Sequence, residues 1–191
     1  LFWGPDVDQC REIFQGKYFS PLEALKAQLD DKSVDGLQKI DTVVGSFTDK
    51  DTLCNYLEEN FVRLFISHKE GIVAPLYQSC YEFENAPLMG ASATMMTDRF
   101  ESKGLSITQN LREPPDHLSV EMEYLYYLLE KGWSDGDDIL VEEAVSFASK
   151  NMLPWIRQFA MRLNEERGPS FYFFAAFVLS GLLQFIAESE L

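Results

Sequence analysis

The run FYFFAAFVLSGLLQFIA, residues 171–187, holds seventeen residues and no charge. Its reading decides the fold. As a helix it would reach about 26 Å, slightly short of the ~30 Å hydrocarbon core of a membrane. Ser180, Gly181 and Gln184 interrupt it, and acidic residues follow. The run therefore reads as a core helix of an all-α protein, buried on nearly every side.

Working outward, apolar residues recur every three or four positions, the period of one helix face. The stripes are Leu22, Leu25 and Leu29; Val34, Leu37, Ile40 and Val44; then Leu53, Leu57, Phe61, Leu64 and Phe65. Later ones are Leu118, Met122, Leu125 and Leu129; Leu140, Ala144 and Phe147; and Met152, Ile156, Phe159 and Leu163, stopped by Gly168-Pro169. Ser20-Pro21-Leu22-Glu23 reads as a capping box, and Thr48 with Asp51 repeats that logic. No run alternates convincingly as a strand, although GLSIT (104–108) suits a short extended piece.

Two segments break the helical pattern. Residues 67–87, SHKEGIVAPLYQSCYEFENAP, form a long connection punctuated by Gly71, Pro75 and Pro87. It carries too much apolar and aromatic surface for disorder, so it is expected to pack on the body, line a groove, or both. Residues 104–115, GLSITQNLREPP, form the second, with a possible division into two lobes near it. Otherwise the 191 residues read as one domain with ample core.

With 16 Lys and Arg against 31 Asp and Glu, the net charge is −15. Such a surface repels phosphate backbones, so nucleic acid and anionic membranes are poor partners and a cationic one is better. Cys10, Cys54 and Cys80 lie far apart and are odd in number, which reads as isolated thiols in a reducing cytoplasm rather than a disulfide framework. The chain opens on Leu1, so the natural start is expected upstream; no basic leader with an apolar run is visible.

Chemistry-bearing motifs are few. His68 and His117 lack further ligands at metal-site spacing, so no metal or cofactor is expected. There is no glycine-rich phosphate loop, and Ser79 lies in QSCYE rather than a nucleophile elbow. Asp116-His117 follows Pro114-Pro115, which bars an earlier helix start. Asp116 is well placed as the N-cap. The helix dipole disfavours imidazolium at His117, whereas Glu121, one turn on, favours it, so the sequence leaves its charge open. The pair reads as a cap, as a general base of a small enzyme, or as part of a binding surface. The residues alone reach an acidic, all-helical protein with a groove for an arginine-bearing peptide.

EPPDHLSVEMEYL (113–125) resembles the signature of the TorD/DmsD/NarJ family of redox-enzyme maturation chaperones. NFVRLFIS (60–67) followed by APLYQSCYE (74–82) resembles that family's second block, with Ala74 where many members have another proline, and PLMG (87–90) after that block also fits. The resemblance covers residues 57–130. It implies a cytoplasmic, non-enzymatic chaperone that binds the twin-arginine leader and body of a molybdenum or tungsten oxidoreductase until its molybdopterin cofactor is inserted. An assembly factor for a non-exported subunit is the alternative. It also implies a leader-binding region at Leu76, Tyr77, Ser79, Tyr81, Glu113, Pro115, Asp116, His117 and Glu121. Asp116 and Glu113 would meet guanidinium groups, and Leu76, Tyr77 and Tyr81 the apolar part. A monomer or a domain-swapped dimer is expected.

Overall fold

The computed structural model describes residues 1–67, 71–106, 113–165 and 170–189. Its elements run α1 (Val7–Phe14), α2 (Ser20–Glu23), α3 (Asp31–Gly45), α4 (Lys50–Phe61), α5 (Ala91–Ser102), α6 (Leu118–Asp135), α7 (Asp138–Ser146), α8 (Leu153–Glu165) and α9 (Phe171–Glu188). Among the described residues there is no strand, only an isolated bridge between Tyr77 and His117. The all-α expectation holds.

Aspartates start many of these helices. Asp6, Asp30, Asp49 and Asp137 each accept from first-turn amides of α1, α3, α4 and α7. A carboxylate there satisfies orphan donors and complements the helix dipole. Part of the acidic balance thus serves local structure rather than a partner. The two predicted capping boxes shift register. α2 begins at Ser20 itself, whose hydroxyl donates to the Lys17 carbonyl. α4 is capped by Asp49, one residue beyond Thr48, because its carboxylate reaches the Thr52 amide at 2.9 Å.

α9 is the axis of the protein, packed against α3, α4, α7 and α8. It is long and apolar enough to cross a membrane. Here ten of its residues are buried, among them Phe171, Tyr172, Phe174 and Leu183, and only Glu188 is exposed. Its polar interruptions are used. Gly181 faces Ser33 of α3, and Gln184 accepts from Arg157 of α8 at 2.6 Å. Gly36 of α3 sits against Val178 and the Phe174 carbonyl, so α3 and α9 approach through small residues. One continuous cluster of buried side chains runs from Phe2 to Ile186.

Two helices widen by π-type turns, at Val62–Ile66 after α4 and Phe147–Met152 before α8. The second precedes Pro154, which lacks an amide donor and crowds the carbonyl four residues back; a wider turn relieves that clash. The Gly168-Pro169 stop and His68 lie outside the described residues, as do residues 107–108 of the extended piece at 104–108 and residues 107–112 of the lobe boundary at 104–115.

The cysteine expectation is corrected. Cys10 of α1 and Cys54 of α4 form a disulfide, with Cα atoms 5.4 Å apart, and Cys80 is the free thiol. A separation of 44 residues gave no motif, but the packing of α1 on α4 brings the two together.

Candidate functional site

The connection after α4 folds back onto the body. The Ala74 amide donates to the Leu64 carbonyl at 3.1 Å, a bond a proline there could not make. Residues 76–78 then lie antiparallel to 116–118, with Gln78 N donating to Asp116 O at 3.0 Å and Leu118 N to Leu76 O at 2.8 Å. The two motif blocks are therefore one piece of structure. Gln78–Tyr81 follows as a 3-10 turn.

Asp116 is fully buried and does not cap α6. Its Oδ2 accepts from the Ser79 amide at 2.8 Å, capping the 3-10 turn across the chain. His117 is the N-cap of α6, its Nδ1 accepting from the Ser119 amide at 3.2 Å. The Asp116 reading fails by one residue because Pro115 fixes the entry and the 76–78 pairing holds the Asp116 backbone outside the helix. Glu121 does not pair with His117 either. It is buried, and its Oε2 accepts from Trp155 Nε1 at 3.0 Å. Burial, reinforced by Asp116 and opposed by the Trp155 hydrogen bond, raises its pKa well above the usual carboxyl range.

His117 is enclosed by two rings. Trp3 stacks on it with centroids 4.6 Å apart, and Tyr77 meets it edge-on at 5.2 Å. Burial pulls its pKa down to about 4, against the opposing pull of Glu113 and Asp116. The charge left open by the sequence is settled: the imidazole is neutral at pH 7. Because the folded value lies below the unfolded 6.5, this residue's share of stability is complete above pH 6.5. It is lost as pH falls toward 4, amounting to about 3 kcal/mol for such a shift. His117→Asn, which keeps a capping acceptor, is expected to flatten the loss of urea midpoint between pH 7 and pH 4. Parallel wild-type and variant slopes would show that another group carries the acid sensitivity.

The predicted site residues thus divide. Leu76, Ser79, Tyr81, Asp116, His117 and Glu121 are buried, whereas Tyr77, Glu113 and Pro115 are partly exposed. Tyr77 Oη donates to Glu113 Oε2 at 2.6 Å, fixing a carboxylate at the surface. Tyr81 faces inward, its hydroxyl donating to the Pro75 carbonyl and its ring under Arg162 at 4.3 Å. Among the described residues, Ser79 Oγ, Asp116 Oδ1 and Glu121 Oε1 beneath this surface find no hydrogen-bond partner.

Sequence reasoning missed the residues that complete the surface. Beyond Trp3 lies an apolar groove of about 360 Å³, lined by Phe19, Leu22, Met122, Glu123, Leu179 and Leu182 among others. The signal was present in LFW at residues 1–3, an apolar triplet ahead of the first helix. Among the described residues, no cluster of His, Cys, Asp or Glu is arranged to hold a metal.

The chain belongs to the family described as nitrate reductase delta subunit, whose model matches residues 22–161, and which includes the TorD and NarJ types. The chaperone protein TorD of Vibrio cholerae is 27% identical over 57% of this chain and 50% of its own length. The TorD of Vibrio parahaemolyticus is 26% identical over 82% and 71%, and that of a Psychrobacter species 30% identical over 70% and 60%. The chain thus spans about half the length of several curated relatives it matches. A candidate redox enzyme maturation protein of known structure from Archaeoglobus fulgidus superposes with a TM-score of 0.55 at 25% identity, covering 94% of this chain and 85% of that one.

Proposed function

We propose that the protein is a cytoplasmic maturation chaperone, not an enzyme. In this reading it binds the twin-arginine leader of a molybdopterin-containing oxidoreductase and holds the apoenzyme until its cofactor is inserted. The observation that supports it most is the Tyr77–Glu113 hydrogen bond, which holds a carboxylate at the surface beside Pro115. A preset carboxylate suits a guanidinium, which it can meet with two parallel bonds. Net charge of −15 favours the approach of a basic leader. The buried members of the motif act from below in this reading. Asp116 and Leu76 set the loop's register, and neutral His117 supports Tyr77.

Binding of a labelled synthetic twin-arginine leader, followed by anisotropy, tests this. Glu113→Gln is expected to weaken it about tenfold, worth about 1.4 kcal/mol, as should replacing the leader's arginines by lysine. Indifference to both changes would remove the guanidinium from the account. The family description favours a second reading, an assembly factor for a non-exported subunit. A leaderless amino-terminal peptide binding more tightly than the leader would select it.

A further inference from the structure

Because His117 is the N-cap of α6, Asp116 is the residue before the cap and Glu121 the fourth of the helix. Helix starts often fill these two positions with apolar side chains, which pack on each other and fix the entry of the chain. Here both carry carboxyl groups, and both residues are fully buried. Each has one oxygen in use: Asp116 Oδ2 accepts from the Ser79 amide at 2.8 Å, and Glu121 Oε2 from Trp155 Nε1 at 3.0 Å. The remaining oxygens, Asp116 Oδ1 and Glu121 Oε1, find no partner among the described residues. Arg99 of α5 acts on Glu121 through its charge, but its guanidinium is engaged elsewhere. It donates to Asn151 Oδ1 at 3.1 Å and lies over the Phe147 ring at 5.1 Å. Arg162 of α8 is likewise taken up by the Cys80 carbonyl and the Tyr81 ring.

We infer that Asp116 and Glu121 share one proton, carried on Glu121 Oε1 and donated to Asp116 Oδ1. A single proton then satisfies both orphan oxygens and leaves one charge where two would repel. The apolar contact of an ordinary helix start is replaced by a charge-assisted hydrogen bond. Burial and the Asp116 charge favour the protonated Glu121, against the Trp155 hydrogen bond and Arg99. Around Asp116 stand Tyr77 and Cys80 from the connection and His117 at the entry to α6. All three are uncharged near pH 7, so none supplies a cation that would hold the pair as two anions. Glu121 is thereby a positioning residue. It holds Asp116, which caps the 3-10 turn, and that turn follows Tyr77, whose hydroxyl fixes Glu113. The proton joins the two motif blocks from beneath as the backbone bridge joins them above, whatever the surface binds.

Infrared spectra of the full chain at pH 7 test this. The wild type is expected to show the carbonyl stretch of a protonated carboxylic acid, shifted by carbon-13 labelling of glutamate and not of aspartate. Glu121→Gln, whose amide can donate to Asp116 and accept from Trp155, should fold and lose the band. Asp116→Asn should move it, because the acceptor changes. Stability gives a second readout. A carboxyl that holds its proton more tightly in the folded chain lends stability below the unfolded value of about 4.3, and loses it as pH rises toward the folded value. The wild-type folding constant should therefore fall relative to that of Glu121→Gln from pH 5 to pH 8, by up to about tenfold per pH unit, the slope for one proton. Contributions of His117, Tyr77 and Cys80 are common to both chains and cancel. A wild type without an acid band at pH 7 overturns the inference, as does a band that follows the aspartate label. A band indifferent to Asp116→Asn would leave Glu121 protonated on its own and overturn the sharing. The isotope experiment needs no variant, so it decides even where a substituted chain fails to fold.

Discussion

Gly181→Leu is expected to lower stability by about 4 kcal/mol, beyond the usual ~1–3 kcal/mol for an overfilled core. A Cβ at Gly181 would lie 1.8 Å from Ser33 Oγ and 2.8 Å from Ser33 Cβ. Rotation of the hydroxyl relieves the first clash, but only movement of α3 relieves the second. α3 cannot move alone, because Gly36 already holds its backbone against Val178 and the Phe174 carbonyl. A leucine would therefore part α3 from α9 along the most extensive helix contact in the protein. Propensity works the other way, since leaving glycine in a helix interior gains up to about 1 kcal/mol. The sign of the result thus tests the packing. Urea midpoints for Gly181→Leu and Gly181→Ala measure it, and adding Ser33→Gly to the alanine variant should recover part of its loss. A neutral or stabilised Gly181→Leu would mean that α3 does not lie on this face of α9.

The helices were legible in the sequence because each buries one face and apolar side chains mark that face. The marking fails where a buried position is not apolar. On α6 the stripe Leu118, Met122, Leu125 and Leu129 catches the buried Leu118 and Leu125 but passes over the buried Glu121, Tyr124 and Leu128. Glu121 enters the core bonded to Trp155, so Met122 is turned outward into the groove. The candidate site shows the same limit. Both motif blocks could be read, and their order, but not that Tyr77 and His117 would face each other across a backbone bridge. Nor could the sequence say that Asp116 would cap the other block, since that bond joins residues 37 apart. Trp3 was missed for the same reason: its partner, His117, lies far along the chain.

Reduction of the Cys10–Cys54 disulfide is expected to cost about 4 kcal/mol, the loop-closure contribution of a crosslink spanning 44 residues. The loop it closes contains α2 and α3, so the bond restrains the unfolded chain across the amino-terminal third of the protein. Its loss should also be felt at the candidate site. α1 follows directly on the segment that buries Phe2 among Phe65, Phe159 and Tyr172 and lays Trp3 on His117. Without the crosslink, that segment is held by Phe2 packing and the Trp3–His117 stack alone among its ring contacts, and tryptophan emission should shift toward that of exposed indole. Urea unfolding with and without a thiol reductant, beside a Cys54→Ser variant, makes the measurement. The reduced wild type and the variant should share a lower midpoint. Equal midpoints in all three would return the cysteines to the isolated thiols that their spacing suggests. A reducing cytoplasm would keep this bond open much of the time. The stability it lends, and the cover it gives His117 through Trp3, would then follow the redox state of the compartment in which the chain is found.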